Sequence, residues 1–212
     1  MDRFKFKKLP IKDVFEILQS PIEDKRGYLI RLFCFNELKN IGWSNQIAQI
    51  NRTFTKKKGT IRGMHFQLPP TTESKIIICT KGIIFDVAVD VRKESKTYLD
   101  YVSLKLSSEI NNMILIPKGF AHGFQTLSDD VELIYNSTTQ LSSENSNKWI
   151  GYNASSGLYI SDDFLKDEMI IVTNLMGQII QKGSVSELNG TKFQTGMYIV
   201  SHQSGFSKII SE

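Results

Sequence analysis

Apolar and polar residues alternate one for one in short runs along most of this chain. The clearest run is Phe85-Asp86-Val87-Ala88-Val89-Asp90-Val91. On a strand, Phe85, Val87, Val89 and Val91 share one face, and Asp86, Ala88 and Asp90 share the other. The same period predicts strands over residues 47–54, 59–67, 74–80, 82–91, 100–106, 112–116, 119–126 and 131–137, with Gly and Pro between them. Earlier, residues 11–19 predict a strand that Pro21 ends. Asp24-Lys25-Arg26-Gly27 predicts a turn, residues 28–33 more extended chain, and 36–41 one short helix. Many short strands at this spacing build an all-β sandwich or closed barrel rather than βαβ units. If both faces of the 85–91 strand are covered, Asp86 needs a partner, because an unpaired buried charge is costly; on a solvent-facing strand it needs none.

The pattern changes after about residue 140. Residues 140–161 are rich in Ser and Asn and predict loop or linker, with Trp149 and Tyr152 marking local packing. From Met169 the alternation returns. Residues 169–180 predict a strand, a turn and a strand, and 196–202 with 207–210 predict a hairpin. The expected division is a barrel over 1–162 and a small C-terminal β appendage over 163–212.

Composition narrows the class. The chain has 212 residues, 41% hydrophobic and 23% charged, enough for one sizeable core. The net charge of +4 is gathered in Lys5, Lys7, Lys8 and the Lys56-Lys57-Lys58 run. These are solvated faces or a field that attracts a phosphorylated ligand. Apart from Phe4 and Phe6 beside Lys5 and Lys7, no aromatic residues alternate with the lysine runs, so nucleic acid is not an expected partner. Cys34 and Cys79 lie in apolar runs without CxxC spacing and are expected as reduced core residues, not zinc ligands. No apolar run approaches a membrane span, and the N-terminus lacks a signal-like segment, so the expected address is the cytoplasm, with no membrane partner.

Two stretches concentrate the chemistry. Gly59-Thr60-Ile61-Arg62-Gly63-Met64-His65-Phe66-Gln67 carries a cation, an imidazole and an amide, and residues 114–124 carry His122; these hold two of the three histidines. His65 and Gln67 share a strand face. Arg62, three residues from His65, joins it only if Gly63 permits a bulge, and that bulge is expected. Arginine suits bidentate phosphate contact, and histidine suits proton abstraction near neutrality. Lys75 adds a second cation. Each residue alone has an ordinary alternative as a packed or snorkelling side chain. A metal would want a second histidine where Gln67 stands, and two imidazoles do not make a site.

These segments, with Pro69-Pro70, Lys75, Gly82, residues 85–92, Ile116-Pro117-Lys118-Gly119-Phe120-Ala121-His122-Gly123-Phe124, Leu133-Ile134-Tyr135 and Asp24-Lys25-Arg26-Gly27, resemble the signature of the dTDP-4-dehydrorhamnose 3,5-epimerases over about residues 12–160. The resemblance implies a cupin jelly-roll, a homodimer, no metal and no cofactor. It implies a nucleotide-linked 4-keto-6-deoxyhexose whose C3 and/or C5 proton is removed and returned on the other face through an enolate. It implies His65 as base, Tyr135 as acid and Lys75 beside the enolate oxygen. It implies Arg26, Arg62, Gln67 and His122 at the diphosphate and neighbouring groups, with Gln49 and Asn51 on the nucleotide side. The aspartate that orients the base is expected at Asp167, with Asp163 as the alternative. A non-catalytic nucleotide-sugar-binding cupin is the competing expectation. Arg31 stands where the family has an acid, and Gln140-Leu141-Ser142 where it has aromatic residues. The tail resembles a Bacteroidetes secretion sorting domain, with an extra β layer on the barrel as the alternative.

Overall fold

The alternating runs fold into two sheets laid face to face. The structure, a computed structural model, describes residues 3–44, 46–67, 70–140, 150–153, 157–160, 169–174, 179–192, 196–202 and 205–211. In chain order the strands begin with β1 Phe4–Lys8, β2 Phe15–Gln19, β3 Ile22–Asp24 and β4 Gly27–Leu29. A short helix, α1 Phe35–Leu38, runs into a 3-10 turn. Then come β5 Gln49–Thr55, β6 Ile61–His65, β7 Lys75–Lys81, β8 Ile83–Asp90, β9 Tyr101–Ser107, β10 Asn112–Ile116, β11 Phe120–Thr126 and β12 Val131–Ser137. One sheet has the order β1-β2-β10-β7-β12-β5, the other β6-β11-β8-β9. Every pairing within them is antiparallel. This is the expected all-β jelly-roll.

Side-chain parity divides the core. Ile77, Cys79, Ile114, Ile116, Val131 and Leu133 from the larger sheet meet Ile84, Ala88, Leu106, Phe120 and Phe124 from the smaller one. Their neighbours in sequence, Ile76, Ile78, Met113 and Leu115, face the other way and pack under Phe4, Leu38, Ile41 and Trp43. Strands β7 and β10 are therefore apolar on both faces, and most of the 85–91 strand is buried on both faces too. Each buried large aliphatic side chain stabilises the fold by about 1.5–3 kcal/mol relative to exposure.

Three local expectations need correction. Residues 11–14 are not strand: Leu9 N–H donates to Val14 O at 3.0 Å, and Asp13 has φ +69°. That turn lets the chain reverse between β1 and β2, and β1, whose Phe4 alone is buried among lysines, went unseen in the sequence. The extended chain after Gly27 stops being strand at Leu29. Within the Ser- and Asn-rich 140–161 stretch a hairpin forms, β13 Ile150–Asn153 against β14 Gly157–Ile160. Loop-like composition masked its alternation.

The tail holds β15 Met169–Asn174, β16 Ile179–Ser184, a short helix α2 Val185–Leu188, β17 Gly196–His202 and β18 Gly205–Ser211. These strands form one antiparallel sheet of order β16-β15-β17-β18, matching the predicted strand–turn–strand and hairpin. A capping box at Ser184 and Glu187 starts α2. Strands β13 and β18 lie beside β6.

The expected bulge is present. His65 pairs with His122 and Arg62 with Phe124, so β6 spends one more residue than β11 between the two pairs. Gly63 has φ +129°, and a Cβ there would stand 2.5 Å from Gly123 Cα and 2.9 Å from His122 O. We expect Gly63→Ala to destabilise the protein by about 1–3 kcal/mol through overpacking, lowering the melting temperature by roughly 2–4 °C for each of them. Calorimetry checks this; an unchanged transition would mean that the two backbones separate freely.

Candidate functional site

Because β6 bulges at Gly63, Arg62 and His65 leave it toward the same side, while Met64 between them packs on the outer face with Val87, Val89 and Ala121. The Arg62 guanidinium donates from Nε to Thr55 Oγ1 at 3.0 Å, which ties it to β5. His65 is solvent-accessible. A group on the wall of a concave opening is wet and crowded at once, and crowding dominates its acidity. Burial first, then the charges of Lys75, His122 and Arg62, pull the His65 pKa down to about 4. The imidazole is neutral at pH 7 and free to accept a proton.

His122 stands directly across the ladder from His65. Its Nε2 lies 2.7 Å from Asp86 Oδ2, and both residues are buried. The possible need of Asp86 for a partner is thus met by the second histidine, one strand away on β11. Asp86 Oδ1 is also buried and has no hydrogen-bond partner among the described residues. The Tyr135 ring meets His122 edge-on, with centroids 6.1 Å apart. Burial, then the Asp86 charge, push the Tyr135 phenol up, so that it keeps its proton. Arg62 acts electrostatically on both His65 and Tyr135, which places the two at one end of the barrel.

Lys75 enters at the start of β7, in register with Ser137 of β12. Its Nζ lies 2.7 Å from Glu73 Oε1, and its side chain is 9% exposed. The Glu73 carboxylate also accepts from Ser137, and the buried Gln67 acts on it electrostatically. Gln49 and Asn51 lie on β5, opposite Ser137 and Tyr135 in the ladder, on the face that carries Thr53 and Thr55. They line the edge of the same opening.

The structure thus brings together His65, Arg62, Lys75, Gln67, His122 and Tyr135, with Gln49 and Asn51 beside them. Arg26 sits elsewhere, at the tip of the β3–β4 hairpin; its side chain is 89% exposed and pairs with Asp24 at 2.6 Å. Arg31 is tied to Glu37 at 2.5 Å. Asp163, Lys166 and Asp167, offered as carriers of the orienting carboxylate, lie outside the described residues, as do Leu141 and Trp149. Glu73 and Ser137 were missed. The spacing Glu73-x-Lys75 was the available signal, since residues two apart on extended chain point the same way. Among the described residues no three His, Cys, Asp or Glu side chains converge as a metal site would require.

A neutral base, a proton-holding phenol and an ammonium around one opening have a definite chemical capacity. They can take a proton from a carbon acid, hold the oxyanion that forms, and return a proton.

Comparison with known proteins agrees with this capacity. Residues 8–161 match the family model for dTDP-4-dehydrorhamnose 3,5-epimerase. The dTDP-4-dehydrorhamnose 3,5-epimerase of Sinorhizobium fredii is 38% identical over 151 residues, 70% of this chain and 77% of the relative. The crystal structure of the Sulfolobus tokodaii dTDP-4-dehydrorhamnose 3,5-epimerase superposes with a TM-score of 0.63 at 39% identity, covering 68% of this chain and 79% of that one. A Legionella pneumophila dTDP-6-deoxy-D-glucose-3,5-epimerase, solved in complex with dTDP-4-keto-L-rhamnose, superposes with a TM-score of 0.64 at 30% identity, covering 71% and 77%. The matches to model, sequence and structure fall on the barrel that carries His65, Lys75 and Tyr135, and this chain belongs to the dTDP-4-dehydrorhamnose 3,5-epimerase family.

Proposed function

We propose that His65, Lys75 and Tyr135 carry out the family's epimerisation of a nucleotide-linked 4-keto-6-deoxyhexose in this chain. The observation that carries the assignment is that His65 and Tyr135 both stand against His122, with the Lys75 charge near enough to act on His65. The C4 carbonyl acidifies the neighbouring C–H bonds. Neutral His65 takes the proton, the C–H electron pair becomes an enolate, and the ammonium of Lys75 faces its oxygen. Tyr135 gives its proton to the opposite face of the carbon, inverting the centre, and solvent returns the proton balance between phenoxide and imidazolium. Arg62, with Gln67 and His122, is assigned to the diphosphate and adjoining groups. Gln49 and Asn51 are assigned to the nucleotide and Asp167 to orienting the base, whereas Arg26, held by Asp24 at the exposed hairpin tip, is given no contact in this arrangement.

We further propose a homodimer. Strand β5 is a sheet edge whose outer face shows Ile50 at 62% and Phe54 at 50% exposure, and the nearby-in-sequence hairpin shows Tyr28 at 69% and Leu29 at 64%. Patches of this kind favour a protein partner, and a closed two-fold contact is the commonest way to cover them. The tail strands pair only with one another, which supports treating 163–212 as an appendage to a 1–162 barrel. Two free cysteines fit a reducing cytoplasm. No helix among the described residues is long and apolar enough to cross a membrane.

In deuterated water with a 4-keto-6-deoxy nucleotide sugar, the protein is expected to place deuterium at C3, C5 or both. His65→Ala should lower that rate by ~10²–10⁴-fold. Tyr135→Phe should leave exchange with retention while inversion falls by a similar factor. Binding without exchange in the parent protein would overturn the catalytic assignment.

The His65 value sets a pH window. Its ordinary 6.5 falls to about 4 in the fold, so the base stays neutral down to about pH 4. The acid limb of kcat/KM should lie near there, and Lys75→Met should move it to higher pH, because a removed cation no longer opposes the imidazolium. Stability follows the same sign. The unfolded chain takes up a proton near 6.5 that the folded chain refuses until about 4, so this contribution is lost as pH falls through that window. An acid limb near 6.5 would contradict it. Sedimentation should give twice the chain mass of 24.2 kDa, and Phe54→Lys should give the single chain; a monomeric parent would rule out the dimer.

A further inference from the structure

Glu73 has no part in the reaction as described, yet it is among the most firmly held groups at the site. It is 8% exposed and stands two residues before Lys75, on the lip where the chain enters β7. That lip is pinned to the end of β12. Ser74 N–H donates to Thr138 Oγ1 at 2.9 Å, Thr138 N–H donates to Ser74 O at 3.1 Å, and Thr139 Oγ1 donates to Thr72 O at 3.1 Å. The carboxylate itself is held from two sides. Lys75 Nζ lies 2.7 Å from Oε1, and the Ser137 hydroxyl donates to Oε2. Burial works to raise the Glu73 carboxyl, but Lys75 and these hydrogen bonds outweigh it and hold it below its ordinary range.

Stability alone is a poor reason for such a pair. Desolvating two charges offsets most of their attraction, and an apolar pair of similar volume serves a core as well. Lysine supplies the other half of the argument. Its ammonium is a point charge on a flexible four-carbon stem, with three N–H donors. Stabilising a developing oxyanion needs a donor fixed before the reaction starts, since reorganising it costs rate. Glu73 occupies one donor of Lys75 and fixes the direction of the others. Ser137 in turn fixes Glu73.

We propose that Glu73 is a positioning residue for epimerisation: anchored by Ser137, it aims the Lys75 ammonium at the oxygen on which the enolate charge develops. The proposal rests on the assignment of Lys75 to that oxygen.

A double-mutant cycle on deuterium exchange tests it. Glu73→Gln keeps the shape and removes the charge. It is expected to lower kcat by about ten- to a hundredfold, with KM within about twofold, as misplacing a catalytic group does. In a Lys75→Met background Glu73→Gln should cost nothing further, because its effect runs through the lysine. Ser137→Ala, which removes one of the carboxylate's two holds, should lower kcat less, and it carries the test should Glu73→Gln fail to fold. Full kcat in both variants would overturn the proposal, as would a loss confined to KM, or an equal loss with and without Lys75. No exchange in the parent protein would remove the catalytic assignment and this proposal together, whereas exchange unaffected by Glu73→Gln removes this proposal alone.

Discussion

The site depends on two backbones that touch. Gly63 and Gly123 lie so close that neither can carry a Cβ: one on Gly123 would meet Met64 Sδ at 2.6 Å and Arg62 O at 3.0 Å. Only this approach lets β6 take in an extra residue and stay paired to β11. The extra residue corrects the parity. Without it, Arg62 and His65, three apart, would face opposite sides, and the cation would be lost to the outer surface. A local constraint on two residues without side chains therefore decides where a guanidinium and an imidazole meet.

A second division runs along the barrel. The apolar filling of Ile77, Cys79, Leu133, Ile84 and Ile116 is continuous between the sheets, whereas Lys75, Tyr135, Ser137 and His122 stand on the same inner faces. Polar groups so placed are costly unless satisfied. They are partnered across strands: Asp86 Oδ2 on β8 with His122 on β11, Glu73 before β7 with Ser137 on β12, with Asp86 Oδ1 left without a partner among the described residues. Each pair offsets part of the desolvation cost and also fixes one side chain. The same contacts that make the polar end tolerable make it rigid.

How much of this was legible follows from what alternation can carry. Strands with one polar and one apolar face, such as β5, were readable within a residue or two at each end, and so were β8, β10 and β12, whose turns are marked by Gly, Pro and Asp. Strand β1 was not, because only Phe4 is buried and the rest reads as a solvated lysine cluster. The 150–160 hairpin was hidden by its Ser- and Asn-rich surroundings. At the site, His65, Arg62 and the need of Asp86 for a partner were visible, since each rests on strand parity or on the cost of a buried charge. Glu73 was not, because its importance comes from a contact with Ser137, on a strand far from it in sequence.

The electrostatics around His65 suit the role proposed for it. Burial opposes a proton there, and the charges around it add to that opposition. On the proposed assignment, Lys75 and Arg62 would also serve the enolate and the diphosphate. An anionic ligand beside Arg62 would then cancel part of the opposing field and make the imidazole a stronger base when it has a carbon acid to act on. Before binding, the same field keeps His65 neutral at every physiological pH, so no proton must be removed before the reaction begins. Base strength is thereby tied to occupancy, through charges whose positions the Gly63 bulge and the start of β7 have already set.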